Sequence, residues 1–166
     1  MAGVALVEPG VVELNTKGRY AVTAMADLAK YGAGEAVPLS AIAERQQISL
    51  AYLEQLFSKL RRAGLVESAR GRSGGYRLGR AAASITVAEV LRAVEEGIRM
   101  TRCRGEDAPP CMVAGQRCLT HGLWDALGDQ ISAFLDSVTL QEVVDGIQPG
   151  KQTARVTAAP TQWIAE

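Results

Sequence analysis

Apolar residues recur at intervals of three and four along most of the chain, and this spacing predicts a mostly α-helical protein. The first helix is predicted to begin near Thr16 and to end at Gly32. Its apolar stripe comprises Tyr20, Ala21, Ala24, Met25, Leu28 and Ala29. Two shorter helices follow, and Ser40 and Ser49 are placed to cap them. The second of these helices is predicted to bury Leu53, Leu56, Phe57 and Leu60.

Two short helices separated by a tight turn form a helix-turn-helix unit. The segments LVESAR and YRLG are predicted as strands on either side of the flexible turn RGRSGG, so that a hairpin follows as a wing. Thr86-x-x-Glu89 is a capping box that opens a further helix to about residue 96. Thr120 can cap a long helix, and Thr139-x-x-Glu142 can cap one more turn. The predicted fold class is therefore mostly α, a winged helix-turn-helix with a long C-terminal helix.

These elements divide the chain into six segments. In order they are a disordered extension (1–12), the winged helix-turn-helix (13–80), a linking helix (81–102), a cysteine-rich loop (103–121), the long helix with its last turn (120–147) and a disordered tail (148–166).

Length and composition narrow the class of protein. A chain of 166 residues suits one domain, or one domain with an appended element. There is no run of eighteen apolar residues, and the first residues lack the basic start and apolar core of a signal peptide. A cytoplasmic protein without a membrane partner is therefore expected. The sequence also has no nucleophile elbow, phosphate loop or pair of catalytic carboxylates near its cysteines and its histidine. An enzyme is therefore not expected.

The charge is unevenly distributed, although the formal net charge is zero. Residues 1–80 carry 11 Lys and Arg against 7 Asp and Glu, whereas residues 81–166 carry 7 against 11. A basic first half and an acidic second half suggest that the first half meets a polyanion.

The open face of the second short helix carries candidate groups for reading DNA. Gln55 can pair with adenine, and Glu54 can accept from a cytosine amino group or exclude sites without such a donor. Arginines at a glycine-rich wing tip suit phosphates or a narrow minor groove. The competing interpretation is a small helical domain with a solvated basic hairpin, but the order helix, helix, hairpin favours DNA binding. The candidate residues are Ser49, Tyr52, Glu54, Gln55, Lys59, Arg61, Arg62, Arg70, Arg72, Gly74 and Gly75.

All three cysteines and the only histidine lie within nineteen positions, with the spacing Cys103-x7-Cys111-x6-Cys118-x2-His121. Three thiols and one imidazole can form a closed tetrahedral site, and in a cytosolic chain they indicate metal or redox chemistry rather than a disulfide. Zinc is one candidate, although a tight Cys-x2-Cys knuckle is missing. The longer gaps also suit a 2Fe–2S cluster. The spacing alone does not decide between the two.

Four segments resemble the bacterial iron–sulfur-cluster regulators of the IscR type. They are NTKGRYAVTAMADLA, ERQQISLAYLEQLFSKLRRAGLV, GGYRLG and CLTHGLWDALGDQI, and the resemblance extends over roughly residues 13–147. Three features depart from the family pattern: a longer gap between ligands, RGRSGG in the wing where Pro-Gly is familiar, and Ala51 in place of a polar residue.

The resemblance implies a transcriptional regulator that binds a palindromic operator in double-stranded DNA, and that represses cluster-assembly genes when a 2Fe–2S cluster is bound. Cys103, Cys111, Cys118 and His121 are the implied cluster ligands, and the iron–sulfur assembly machinery is the implied donor. The long helix is implied to form a homodimer, and its apolar stripe is too wide for a lone surface helix. The expected dimer face consists of Trp124, Leu127, Ile131, Phe134 and Val138. A zinc-stabilised regulator and an iron–sulfur redox protein are the alternatives.

Overall fold

The computed structural model describes residues 16–71, 74–94, 112 and 115–147. Its elements are α1 (Thr16–Gly32), α2 (Leu39–Gln46), α3 (Leu50–Arg62), β1 (Val66–Ala69), β2 (Gly75–Leu78), a 3₁₀ turn (Ala82–Ser84), α4 (Val87–Ala93), α5 (His121–Ser137) and α6 (Leu140–Asp145). This order confirms the mostly α winged helix-turn-helix. The predicted segments 1–12 and 148–166 lie outside the described residues, as do residues 95–102 of the predicted linking helix and residues 103–111 of the cysteine-rich loop.

One apolar core joins the first three helices to the hairpin. The four residues predicted to face inward from α3 are all buried, as are the predicted Ala21, Ala24, Met25 and Leu28 of α1. The rings of Phe57 on α3 and Tyr76 on β2 meet edge to face, with centroids 5.0 Å apart. The helical periodicity therefore identified the core face of α3 and most of that of α1, where the predicted Tyr20 is exposed and Ala29 is partly buried.

The wing is a two-stranded antiparallel hairpin in which Val66 pairs with Leu78. Its second strand is also tied to the segment before α2, because Val37 and Tyr76 exchange backbone hydrogen bonds of 2.8 and 2.9 Å. A Cβ atom added to Gly75 would lie 2.3 Å from the carbonyl oxygen of Val37. A side chain at position 75 would therefore force the wing away from the helix-turn-helix.

The cap of α2 differs from the prediction. The helix begins at Leu39, so Ser40 lies inside its first turn and is not the N-cap. Pro38 occupies that position, and its carbonyl accepts the first backbone N–H groups, those of Ala41 and Ile42. The φ of Pro38 is −63°, as the proline ring requires, and no side chain caps the helix. The prediction for Ser49 is confirmed, because its Oγ accepts from the backbone N–H of Tyr52 at 3.2 Å.

Both predicted capping boxes form, at Thr86 with Glu89 and at Thr139 with Glu142. The two caps also meet each other. Thr86 and Thr139 form an antiparallel bridge, in which the N–H of residue 87 donates to the carbonyl of residue 138 and the N–H of residue 140 donates to the carbonyl of residue 85, both at 2.9 Å. This bridge ties the end of α5 and the start of α6 to the start of α4. An ion pair between Arg92 of α4 and Asp136 of α5, at 2.7 Å, also joins these two helices.

Candidate functional site

The exposed face of α3 forms one shallow concave surface. It is lined by Ala51, Glu54, Gln55, Ser58, Lys59 and Arg62. The opposite face of the helix is buried in the core, so these side chains cannot turn inward. The predicted base-reading residues Glu54 and Gln55 therefore lie together on the side that a recognition helix presents.

The first turn of α3 is positioned by two contacts. The Oγ of Ser49 accepts from the backbone of Tyr52, which leaves the hydroxyl proton of Ser49 available for a phosphate oxygen. The ring of Tyr52 meets that of Tyr20 on α1 edge to face, at a centroid distance of 5.9 Å. Tyr52 is therefore half-buried against α1, and its position is set by the protein core.

Positive charge is present on this surface and in the wing. Lys59, Arg61 and Arg62 lie in the last turn of α3, and Arg70 is exposed at the end of β1. Arg72 lies outside the described residues. Gly74 and Gly75, which were predicted to let DNA approach, are needed by the wing itself: a Cβ at Gly74 would lie 2.8 Å from the carbonyl oxygen of Gly71.

An ion pair between a buried carboxylate and a partly exposed guanidinium positions α2 and was not predicted from the sequence. Asp27 on α1 is 3% exposed. Its carboxylate accepts from Nε and Nη2 of Arg45 at 3.0 and 2.6 Å and from Nε2 of Gln46 at 2.6 Å. The carboxylate raises the pKa of Arg45, chiefly through the side-chain hydrogen bond. The guanidinium also lies over the ring of Tyr31, 4.8 Å from its centroid. The sequence did offer one signal for this ion pair, because Asp27 is a charged residue beside the apolar stripe of α1.

Two of the four predicted ligands lie at the beginning of α5. His121 is its first residue, and its backbone N–H donates to the carbonyl of Cys118 at 3.0 Å. The Sγ of Cys118 lies 3.8 Å from the Oγ1 of Thr120, which in turn accepts from the indole N–H of Trp124 at 3.0 Å. Thr120 occupies the predicted N-cap position, but its hydroxyl bonds Trp124 and not the backbone. Cys103 and Cys111 lie outside the described residues.

The chemistry of this pair fits a metal centre. Cys118 and His121 are both partly exposed and lie at the same end of one helix. Thiolate and imidazole are ligands that suit both iron and zinc, and the N-terminus of a helix stabilises the negative charge that a thiolate carries. The described part of the chain therefore provides two suitable donors, one at the first residue of α5 and one just before it.

The long helix α5 is amphipathic but buries no side chain fully within its own chain. Leu123 is 61% exposed, and Trp124 and Leu127 are also exposed. Ile131 is half-buried, and Phe134 partly packs on α4. These residues form the apolar α5 face.

Val138 does not belong with that face. It follows the last residue of α5 and is 1% exposed, packed against Val87 and Leu91 of α4. Its place in the predicted dimer face is therefore corrected: the bridge between residues 86 and 139 turns the chain inward here.

Among the described residues, no helix is long and apolar enough to cross a membrane.

Comparison with known proteins relates this arrangement to regulators. Residues 14–146 match the Rrf2 family, described as "Iron-dependent Transcriptional regulator". The HTH-type transcriptional regulator IscR of Photorhabdus laumondii is 54% identical over 134 residues, which cover 81% of this chain and 80% of that protein. The solved structure of T. potens IscR is 38% identical with a TM-score of 0.66, over 81% of this chain and 87% of that one. CymR, the global cysteine regulator of B. subtilis, is 37% identical with a TM-score of 0.66, over 81% and 98%.

Proposed function

Because the chain belongs to the Rrf2 family and is a DNA-binding transcriptional regulator of the IscR type, we propose that it senses a 2Fe–2S cluster and represses cluster-assembly genes while the cluster is bound. The DNA-binding surface in this proposal is the concave face of α3 with the wing. Glu54 and Gln55 would contact base edges, whereas Lys59, Arg61 and Arg70 would contact phosphates.

The cluster would be held by the thiolates of Cys103, Cys111 and Cys118 and by the imidazole of His121. Three thiolates and one imidazole supply a site whose occupancy falls in acid, because a protonated imidazole cannot ligate. Ligation by Cys103 and Cys111 would tie the loop to the first turn of α5. We expect the protein to act in the cytoplasm and to receive the cluster from the assembly machinery.

The observation that supports this proposal most is the placement of α5. His121 is the first residue of the helix and Cys118 lies three residues before it, whereas the bridge between Thr86 and Thr139 joins the end of the helix to the start of α4, which packs on the core of the winged helix. One helix therefore lies between the predicted ligands and α4. In a homodimer formed through the apolar α5 face, the direction of α5 would set how two recognition helices meet a palindromic operator.

The test begins with anaerobically purified protein. We expect visible absorption with about two irons and two sulfides per chain for a 2Fe–2S cluster. Cys111→Ala should lose this absorption, whereas Met112→Ala, a change at the adjacent exposed thioether, should retain it. One zinc per chain without visible absorption would instead support the zinc-stabilised regulator.

The second part of the test is selection of binding sites from a random duplex library, with cluster-bound and cluster-free protein. We expect palindromic sites in both selections and different preferred sequences between them. A cluster-bound protein that enriches no sequence over random DNA would instead support an iron–sulfur redox protein. Identical sites from both forms would refute cluster sensing.

A further inference from the structure

The first turn of α3 presents two apolar side chains to solvent on a surface that is otherwise polar. Leu50 is 42% exposed, and Ala51 is exposed as well. Of the two, Ala51 lies in the concave surface with Glu54 and Gln55. The ring of the neighbouring Tyr52 does not cover Ala51, because it packs against Tyr20 on α1. The methyl group of Ala51 therefore faces the same space as the base-reading side chains.

The spacing along the helix places this methyl group one turn before Gln55. Residues four apart lie on the same face of a helix, with Cβ atoms about 5–6 Å apart. A recognition helix inserts its N-terminal residues into the major groove, so Ala51 and Gln55 would face neighbouring base pairs. Because alanine has the shortest side chain with a carbon atom beyond the backbone, it can contact only a group that protrudes from the base edges.

The major groove offers one apolar group, the C5-methyl of thymine, and alanine is among the residues that contact it. Such a contact removes apolar surface from water without breaking any hydrogen bond. Glu54 and Gln55 cannot replace it, because their side chains end in polar atoms that stay hydrated or pair with base edges.

We infer that Ala51 is a specificity-determining residue, which selects a thymine next to the base pair read by Gln55 through its methyl group. The inference rests on the proposed function, since it requires that α3 enters the major groove. This base preference would come from an apolar contact with the methyl group. It would add to the predicted polar contacts, which depend on hydrogen bonding.

The test uses the sites selected from the random library. Each thymine of the best site is replaced singly by deoxyuridine, which keeps every hydrogen-bonding group and lacks only the methyl. Binding is measured by fluorescence anisotropy at one salt concentration. Wild-type protein should lose about fourfold in affinity at one thymine of each half-site, the value for one methyl group removed from water.

The variant Ala51→Gly should bind the thymine and deoxyuridine sites equally, because it has no methyl group to contribute. Glycine also weakens the helix, but that loss affects both duplexes alike. Ala63→Gly, at an exposed alanine just past the end of α3, is the matched control and should keep the fourfold preference. If Ala51→Gly does not fold, Ala51→Ser keeps the helix and should reduce the same preference.

Two results would overturn the inference: a wild type that ignores every methyl group, or an Ala51 variant that keeps the full preference. Both leave the proposed function intact, because the protein still binds its selected sites. A protein that selects no sites at all refutes the proposed function and, with it, the inference.

Discussion

Replacing Arg45 with methionine should destabilise the protein by about 3–5 kcal/mol, the usual result of leaving a buried charge without its partner. The structure places this variant in that range because the group left behind is the carboxylate of Asp27, whose side chain is fully buried. Two of its three hydrogen bonds come from Arg45, and only that of Gln46 would remain. Methionine can still contact the ring of Tyr31, so packing changes little.

Replacing the other partner should have a smaller effect. In Asp27→Leu the guanidinium of Arg45 is left, and this side chain is 34% exposed and can turn towards water. We expect a loss of about 1–3 kcal/mol, typical of a polar group left without its partner. The double variant Asp27→Leu/Arg45→Met removes both charges and should lie within about 1 kcal/mol of the wild type. The two single losses should therefore be strongly non-additive.

Urea unfolding followed by far-ultraviolet circular dichroism measures these differences through the midpoint and the slope. Protein concentration must be held constant across the variants, because association of the chains shifts the apparent stability. The reasoning is refuted if Arg45→Met loses less than about 1 kcal/mol, or if the double variant is no more stable than Arg45→Met. Either result would mean that the carboxylate is solvated and that apolar contacts alone hold α2 on α1.

Three further predictions concern association, DNA selectivity and pH. Ile131→Asp should convert dimers to monomers in sedimentation. The control Ala133→Asp changes an exposed residue of the same helix and should remain a dimer. A wild type that sediments as a monomer contradicts the proposed dimer. Glu54→Ala should broaden the set of sites bound by cluster-free protein, and an unchanged ranking of sites would make Glu54 a surface charge only. The backbone N–H of Thr86 donates to the carboxylate of Glu89 and lowers its pKa. The stability that this carboxylate adds is therefore present above its usual pKa and is lost as the pH falls through the lowered pKa. The stability difference between the wild type and Glu89→Gln should therefore shrink on acidification, and a difference independent of pH would contradict this.

The elements set by local sequence were predicted well. The buried face of α3 follows from the spacing of its apolar residues, and both capping boxes follow from residues three positions apart. Ser40 was assigned wrongly because serine is a frequent cap, whereas the carbonyl of Pro38 begins the helix without one.

Features that depend on distant parts of the chain could not be predicted in this way. Asp27 finds its partner eighteen residues away, and no helical period indicates which cation will reach a buried carboxylate. Val138 continues the apolar spacing of α5, but the bridge between Thr86 and Thr139 ends the helix and turns this residue into the chain. The dimer face and the ligand set remain predictions from the resemblance and the residue pattern.

The bridge between the two capping boxes holds the chain at Thr139, directly after α5, so a tilt of α5 would have its pivot there. The helix has 17 residues and is therefore about 25 Å long, with Cys118 and His121 at the end far from the pivot. A tilt of roughly 5° at the pivot would displace that far end by about 2 Å, more than half of the roughly 3.4 Å rise between base pairs. A small tilt of α5 is thus enough to displace its beginning, where two of the predicted ligands lie, by a distance comparable with one base-pair step.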